Sequence, residues 1–367
     1  MSEALQAVVI PSLPNREMDY PGLVGELASL ESLPDKKKLR PVYDQLLSKY
    51  PCLEGFWVRW AHTEFRIEGA NAALNIFHRA LDTPILQQSL ILWTEYLRFK
   101  LRICPDNNLL AEFEKAAGLV GTQFLSHEFW DLYLEVCETP VDLLIKILDE
   151  RTLHQFARFY AQLLELLPQK LEDFQRVLGL STQSNAEEEA LVRKVIESKL
   201  HLKYELHSRR VDQIWPLVKP IKRPFFHPKK CPDGPHWLAY AKASGSTETI
   251  FRQAIIPCFL DPSVWLGYIR FKIRTNSSDD EIREIYEMGC HTRPVLLHFA
   301  LWLEYKGDIP GAKELYSNEK DGQKLQFLAR IGEAPQTATF PSTSAKPKAP
   351  ALADQSMDNE LYTDEEL

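Results

Sequence analysis

Apolar positions between Gly55 and Asp82 predict a pair of short helices. The first helix is marked by positions i, i+3, i+4 and i+7 on one face, namely Trp57, Trp60, Ala61 and Glu64. Gly69 interrupts this pattern, and Pro84 ends a second periodic run. That run contains Ala73, Ile76, Phe77, Ala80 and Leu81. The segment is therefore predicted to form one unit of helix, short turn and helix.

The same unit recurs along the chain. Its mark is a large ring followed three residues later by a second one, at Trp57/Trp60, Trp93/Tyr96, Trp130/Tyr133, Trp237/Tyr240, Trp265/Tyr268 and Phe299/Trp302. In the second helix an aromatic residue precedes a small one by three positions, at Phe77, Phe113, Phe251 and Tyr286, whereas Leu144 takes this place in the third unit. A weaker unit around Leu23 and Tyr43 precedes them, which makes about seven helix pairs. A recurrence every 20–50 residues is typical of repeat proteins.

These patterns predict an all-α fold, an α-solenoid of helix-pair repeats in two blocks. The blocks are residues 19–165 and 221–330, and a helical spacer, 166–220, joins them. Within the spacer, Ala186–Arg210 reads as one long charged helix. Residues 1–18 are expected to be flexible. The tail, 331–367, is rich in Pro, Ala, Ser and Thr and then acidic, and is expected to be disordered.

The recurring rings are expected to form the core of the repeats. Single-strand binders stack bases on aromatic side chains, but rings at helical spacing beside small residues are typical of core positions. The predicted core rings are Trp57, Trp60, Phe77, Trp93, Tyr96, Phe113, Trp130, Tyr133, Trp237, Tyr240, Phe251, Trp265, Tyr268, Tyr286, Phe299 and Trp302.

Composition narrows the class of protein. The 367 residues carry a formal net charge of −8, which argues against wrapping nucleic acid over the whole surface. The six cysteines form no CxxC pair, as expected of reduced thiols in cytosol or nucleus. The N-terminus lacks the features of a secretory signal, and no apolar run is long enough for a transmembrane helix. A membrane partner is not expected.

No catalytic motif is present among the phosphate-binding, dinucleotide-binding, zinc-protease and hydrolase signatures. The nearest metal-like cluster is His227, Cys231 and His236, whose spacing matches no zinc module. The sequence therefore predicts a protein that is not an enzyme, with no catalytic residue, no metal site and no cofactor.

One segment, residues 209–230, is strongly basic in this acidic chain. It contains a single acid, Asp212, and seven cations, namely Arg209, Arg210, Lys219, Lys222, Arg223, Lys229 and Lys230. Two interpretations stay open: the cations contact RNA phosphate or an acidic peptide, or they keep a loop soluble. Phe225 and Phe226 are expected to plug the first unit of the C-terminal block.

The unit W-x-x-[WY], followed by a helix ending in aromatic-x-[KR]-A, resembles the HAT repeat of RNA-processing proteins. That repeat favours a glutamate seven residues after the tryptophan; Glu64 fits, whereas Lys100, Cys137, Ser244 and Lys272 differ. Two further segments, Ile221–Pro228 (IKRPFFHP) and Tyr50–Trp57 (YPCLEGFW), are similar to segments of the pre-mRNA-processing factor 39 family. The resemblance extends over residues 19–320.

This resemblance implies a nuclear, non-enzymatic scaffold of the U1 snRNP that acts in 5′ splice-site recognition and holds other snRNP proteins on a helical-repeat surface. In the family the C-terminal block also supports pairing with a second HAT subunit, itself or a relative. This chain has three C-terminal units, fewer than the family, so a homo- or heterodimer stays open. The alternatives are a HAT scaffold in 3′-end cleavage or pre-rRNA processing, and direct RNA binding through residues 209–230.

Overall fold

The computed structural model describes residues 19–31, 38–103, 109–180, 186–229, 231–244 and 247–317. These residues form seventeen α-helices and one 3-10 helix, and no strand occurs among them. The all-α helical-repeat prediction is confirmed. The predicted flexible N-terminus (1–18), the predicted tail (331–367) and Lys230 lie outside the described residues.

The helices follow one another in pairs. The first ten are α1 (Asp19–Glu31), α2 (Leu39–Lys49), α3 (Glu54–Glu68), α4 (Ala70–Leu81), α5 (Leu90–Ile103), α6 (Leu109–Leu119), α7 (His127–Val136), α8 (Pro140–Glu150), α9 (Phe156–Leu166) and α10 (Leu171–Leu178), with the 3-10 helix Pro84–Gln88 before α5. The remainder are α11 (Ala186–Val218), α12 (Gly234–Ala243), α13 (Thr247–Ile255), α14 (Pro262–Arg274), α15 (Asp279–Gly289), α16 (Arg293–Lys306) and α17 (Ile309–Ser317).

The described residues divide into two compact parts, 19–268 and 269–317. The larger part contains α1 to α13 and the first part of α14. The smaller part contains the end of α14 and α15 to α17. The predicted boundaries of the two repeat blocks and the spacer stay predictions.

The turn inside the first tryptophan unit depends on Gly69. Its φ of +91° lies in the left-handed region, which residues with a Cβ rarely adopt, and α3 ends there while α4 begins at the next residue. Pro84 starts the 3-10 helix after α4, because its fixed φ suits the first helical position. The sequence pattern places both breaks correctly.

Aromatic rings join each unit to the following one. The ring in the second helix of one unit contacts the second ring of the aromatic pair in the next. Five such contacts occur among the described residues: Tyr43–Trp60, Phe77–Tyr96, Phe113–Tyr133, Phe251–Tyr268 and Tyr286–Trp302, with ring centroids 5.0–5.8 Å apart. All ten rings are buried. Stacking across units thus contributes to the core that a single helix pair cannot complete alone.

The leading tryptophans also fix the loop that enters their helix. The indole Nε1–H of Trp57 donates to the carbonyl of Pro51 at 2.9 Å. Trp93 and Trp265 each donate in the same way to a carbonyl six residues earlier, that of Gln87 and Phe259, at 2.9 Å. Because a buried N–H without an acceptor is costly, these bonds hold the loop and the helix together.

Seven residues after the leading tryptophan, three of the units have a charged side chain that forms an ion pair. It is an acid in one unit and a lysine in the other two. Glu64 pairs with Arg40 of the preceding unit at 2.6 Å. Lys100 instead pairs with Glu112 of its own unit, and Lys272 with Glu281 at 3.1 Å. The two departures to lysine, Lys100 and Lys272, are therefore accommodated by acids on the second helix of their units.

The spacer helix α11 is longer than the sequence pattern indicates. The pattern predicts an end at Arg210, but the helix continues to Val218, with Pro216 in its final turn. Packing explains the extension, because Val211 is buried and Trp215 stacks on His154 with ring centroids 4.4 Å apart. Further back, His207 is fully buried against Phe156 at 4.3 Å.

Candidate partner-binding surface

The basic segment begins on the last turns of α11 and runs on to α12. Four of its cations, Arg209, Lys219, Lys222 and Lys229, are exposed. Arg209 approaches Glu205 on its own helix at 3.7 Å, a surface pair that contributes little to stability. These four side chains are therefore available for contact with a partner.

Two other cations of the segment serve the fold. The guanidinium of Arg210 donates to the carbonyls of Leu148 and Asp149, at 3.0 and 3.1 Å, and so satisfies the C-terminal end of α8. Arg223 donates to the carbonyl of Lys229 at 3.0 Å and closes the loop. Since both guanidinium groups already bind main-chain carbonyls, they are weaker candidates for RNA contact than the sequence indicates.

Asp233, which no sequence pattern marks, anchors this loop. Its Oδ2 accepts the main-chain N–H groups of Lys222 and Arg223 at 3.0 and 2.8 Å. The residue is buried directly before α12. A carboxylate that receives two N–H groups holds the IKR segment against the start of the next repeat.

The adjacent phenylalanines behave differently from each other. Phe226 is buried and contacts Phe259 and Tyr50, with ring centroids 5.7 and 6.3 Å apart. Its burial against Phe259, which lies between α13 and α14, agrees with the expected plug. Phe225 is 49% exposed and does not act as a plug.

Phe225 instead lines a cavity of about 380 Å³, called here the Trp237 cavity. Its walls come from the starts of α3, α5 and α7, from α12 and α13, and from the end of the basic segment. The lining residues are Glu54, Gln88, Leu90, Ile91, Thr94, Glu95, Gln123, Phe124, Leu125, His127, Glu128, Val218, Pro224, Phe225, Trp237, Tyr240, Gln253 and Ile256. A volume in this range suits a small ligand or a few side chains of a partner.

Buried polar groups surround this cavity. The indole Nε1 of Trp237, unlike that of Trp57 or Trp93, has no acceptor among the described residues, and Oε1 of Gln88 and Oγ1 of Thr94 likewise lack partners there. Native structures leave few such groups unsatisfied. The wall of the cavity therefore retains unused hydrogen-bonding capacity.

Glu54 is the buried carboxyl in this wall. Burial raises its pKa to about 7, although the hydroxyl of Ser89, which donates to the Glu54 carboxylate, lowers it. The side chain therefore changes charge near neutral pH. No local sequence pattern indicates this, because the pKa is raised by burial, which depends on the folded structure around Glu54.

His227, Cys231 and His236, the set whose spacing most resembles a metal site, form no such cluster in the described residues. Cys231 is buried, and its thiol interacts with that of Cys258, which lowers the pKa of Cys231; the Asp233 backbone and Arg223 act in the same direction. Nowhere in the described ranges do three His, Cys, Asp or Glu side chains gather in a way that could hold a metal ion. None of the described helices is long and apolar enough to span a membrane.

Paired helices, rings shared between consecutive units and indoles bonded to the preceding loop define a helical-repeat protein of the HAT class. Comparison with known families agrees: the profile described as PRP39 N-terminal HAT repeat matches residues 12–177, and the PRP39 C-terminal HAT repeat matches residues 212–331. Together the two matches cover well over half of the chain. The chain belongs to the PRP39 family of HAT-repeat proteins.

Individual relatives agree with this assignment. Pre-mRNA-processing factor 39 of Schizosaccharomyces pombe is 28% identical in an alignment of 341 positions that covers 81% of this chain and 55% of the relative. The U1 small nuclear ribonucleoprotein component PRP42 of Saccharomyces cerevisiae is 34% identical in an alignment of 160 positions that covers 41% of this chain and 28% of the relative. Cleavage stimulation factor subunit 77 of Arabidopsis thaliana is 22% identical in an alignment of 323 positions that covers 79% of this chain and 42% of the relative. The chain thus spans about half the length of the relatives that it matches, or less.

Proposed function

We propose that the protein is a non-enzymatic scaffold in pre-mRNA splicing that binds other proteins of the U1 snRNP in the nucleus. The observation that carries this proposal is the match to both PRP39 repeat families, in the order N-terminal then C-terminal, along one chain. The names of two relatives, a pre-mRNA-processing factor and a U1 snRNP component, supply the pathway. Repeat proteins of this class act as extended binding surfaces.

The Trp237 cavity is the proposed contact for a partner protein. Ile91, Leu125 and Phe225 are exposed apolar side chains in its lining, and Glu54, Gln88 and Trp237 add buried polar groups. An apolar centre with a few polar groups resembles the anchor pockets that dominate protein interfaces. A partner segment that inserts an apolar side chain there would also satisfy some of the unpaired polar atoms.

Affinity purification from nuclear extract tests the scaffold proposal. A tagged chain is expected to recover U1 RNA and the core U1 proteins. A triple variant, I91S/L125S/F225S, is expected to lose them, whereas L110S/L164S, which alters exposed leucines outside the cavity, is the matched control. Recovery of neither U1 RNA nor its proteins by the intact chain would overturn the proposal.

A second candidate is a scaffold in 3′-end processing, which the similarity to cleavage stimulation factor subunit 77 favours. The similarity is weaker than that to the splicing factors, at 22% identity against 28%. Pre-rRNA processing is a further alternative that the resemblance to HAT proteins leaves open. Sequencing the RNA recovered in the same purification separates these three pathways.

Direct RNA binding is a further proposal and rests on the four exposed cations. Filter binding across salt concentrations is the measurement, because removing one cation–phosphate pair reduces the salt slope of log K by roughly 0.7–0.9. The variant replaces Arg209, Lys219, Lys222 and Lys229 by alanine. The control replaces cations outside the segment, namely Arg102, Lys146, Lys170 and Lys194. Equal affinities for both variants would remove the basic segment as an RNA-binding surface.

A further inference from the structure

Three residues in the wall of the Trp237 cavity carry polar atoms that lack a partner among the described residues. The atoms are the indole Nε1 of Trp237, Oε1 of Gln88 and Oγ1 of Thr94. All three residues are more than nine-tenths buried, with exposed fractions of 7%, 7% and 5%. Since native proteins satisfy nearly all buried polar groups, an occupant of the cavity is the natural source of the missing partners.

The three atoms need partners of both kinds. An indole N–H can only donate a hydrogen bond, an amide oxygen can only accept one, and a hydroxyl can do either. Tyr240 adds a second hydroxyl to the lining, and burial raises its pKa to about 12, so it stays protonated at neutral pH. The occupant must therefore offer an acceptor to Trp237 and a donor to Gln88.

The wall that carries these atoms is fixed by its own packing. The main-chain carbonyl of Gln88 accepts a side-chain N–H of Gln123 at 2.7 Å, and the 3-10 helix that ends at Gln88 packs against α13. The rings of Trp237 and Tyr240, both on α12, lie with their centroids 6.3 Å apart. Because donor and acceptor are already positioned, binding needs little rearrangement of the wall.

The charges around the cavity disfavour an ionised occupant. No lysine or arginine is found among the described residues that line it, and burial lowers the pKa of His127, so an anion has no cation to pair with. Arg98 already forms an ion pair with Glu95 and lies 3.9 Å from Glu128. The third lining carboxyl, Glu54, has a pKa of about 7 and is only partly ionised at neutral pH. A cation would lose its hydration for little return.

A primary carboxamide is the uncharged side-chain group that offers an acceptor and donors side by side. Its oxygen and its NH₂ group share one edge, whereas the N–H and C=O of a trans main-chain peptide point in opposite directions. Asparagine and glutamine carry this group at the end of a short apolar stem. Exposed Ile91, Leu125 and Phe225 provide an apolar rim against which such a stem can pack.

We propose that the Trp237 cavity binds the carboxamide of an asparagine or glutamine side chain from a partner protein. Its oxygen accepts the N–H of Trp237, and its NH₂ group donates to Oε1 of Gln88. The assignment rests on the proposed function, in which the same cavity is the contact for a partner. Selectivity follows because a carboxylate or an ammonium of similar size leaves one of the two buried atoms unpaired.

Probes with the same apolar stem and different head groups test the proposal. Isobutyramide, isobutyrate and isobutylammonium are each titrated into the full chain with isotope-labelled tryptophan. Binding is followed by the chemical shift of the Nε1–H of Trp237, identified by its absence in Trp237→Phe. Isobutyramide is expected to have a dissociation constant at least about tenfold lower than the two ions, since each ion loses a hydrogen bond. N-methylacetamide, which mimics a main-chain peptide, should bind no better than the ions.

Two double variants test which protein atoms select the amide. W237F/Q88L removes the donor and the acceptor and is expected to abolish the preference for isobutyramide. W57F/Q87L is the matched control, because Trp57 is a leading tryptophan and Gln87 adjoins Gln88, yet both lie outside the lining. Both variants are compared through saturation transfer to the methyl protons of the probes, and circular dichroism confirms that their helices persist. The probe series on the intact chain decides the outcome even if W237F/Q88L loses helix content.

An indole shift of Trp237 that does not respond to isobutyramide overturns the proposal. Equal or tighter binding of either ion or of N-methylacetamide does so too, as does an equal loss of preference in W57F/Q87L and W237F/Q88L. Failure of the scaffold proposal is distinguishable. A chain that recovers U1 RNA but shows no amide preference loses only the carboxamide site, whereas amide selectivity in a chain that recovers no U1 RNA supports the site alone.

Discussion

The ring of Tyr43 lies flat on the ring of Trp60, with 5.5 Å between centroids and 3° between planes. Tyr43 belongs to α2 and Trp60 to α3, so the contact crosses from one repeat to the next. Phe113 and Tyr133 repeat it further along, with centroids 5.0 Å apart and planes 19° apart. The contact is thus a recurring element of the core, and its removal should lower the stability of the protein.

Phe113→Ala is expected to destabilise the protein by about 3–5 kcal/mol, because it removes a fully buried ring and leaves a cavity. Phe113→Leu should cost less. Urea denaturation followed by circular dichroism is the measurement. Leu110→Ala, an exposed position on the same helix, is the control, and equal effects for Phe113→Ala and Leu110→Ala would contradict the assigned core role.

Trp93→Phe and Trp237→Phe form a matched pair that isolates the indole hydrogen bond. Both rings are buried, but Nε1 of Trp93 donates to the Gln87 carbonyl, whereas Nε1 of Trp237 has no acceptor among the described residues. Trp93→Phe is therefore expected to cost about 1 kcal/mol more than Trp237→Phe. The measurement is the urea denaturation midpoint of each variant, compared on condition that the m-value is the same in both. A larger loss at Trp237 would show that its indole is bonded after all.

Glu54→Gln is expected to stabilise the protein above neutral pH. The folded-state pKa of about 7 exceeds the ordinary value of 4.5, so the folded chain binds more protons between these limits. The carboxyl therefore lowers stability as pH rises through that window, by roughly 3 kcal/mol at its full extent. The glutamine variant avoids this cost. Compared with the wild type, the variant should have the same unfolding midpoint at pH 4.5 and a clearly higher one at pH 8.

Acidification is expected to loosen the contact between α11 and α8 through His207. Burial lowers the pKa of this imidazole, and its Nε2 accepts the Leu153 N–H at 3.1 Å. The unfolded chain therefore binds more protons below about pH 6.5, and the stabilising contribution is lost as pH falls further. Hydrogen exchange provides the measurement: the protection factor of the Leu153 amide should fall between pH 7.5 and pH 5.5. The amide of Leu143 inside α8 is the internal control, and parallel behaviour of both amides would exclude a local effect.

The helix pairs are accessible from the sequence because they depend on local signals. Glycine at a left-handed turn, proline at a helix start and rings at helical spacing each act within a few residues, as at Gly69, Pro84 and Trp57. These signals suffice for the fold class and for the boundaries inside the first tryptophan unit. They do not predict which distant segments of the chain contact each other.

The candidate surface depends on contacts between distant residues, which no local pattern records. The sequence indicates that Arg210 is a free cation. In the structure, its guanidinium donates hydrogen bonds to carbonyls more than 60 residues earlier in the chain. Trp237 shares the pattern of the other leading tryptophans, yet its Nε1 has no acceptor among the described residues. The cavity likewise joins segments from Glu54 to Ile256.

The ion pairs after the tryptophans have a consequence for how such a chain can evolve. Glu64 binds a cation from the previous unit, whereas Lys100 binds an acid within its own. Exchanging these two units by recombination would place Lys100, already paired with Glu112, where Glu64 now stands, and Arg40 would lose the Glu64 carboxylate. The repeats share the same aromatic pattern, but their ion pairs depend on the order in which the repeats follow one another. A version of this gene with shuffled or internally duplicated repeats should therefore encode a less stable protein.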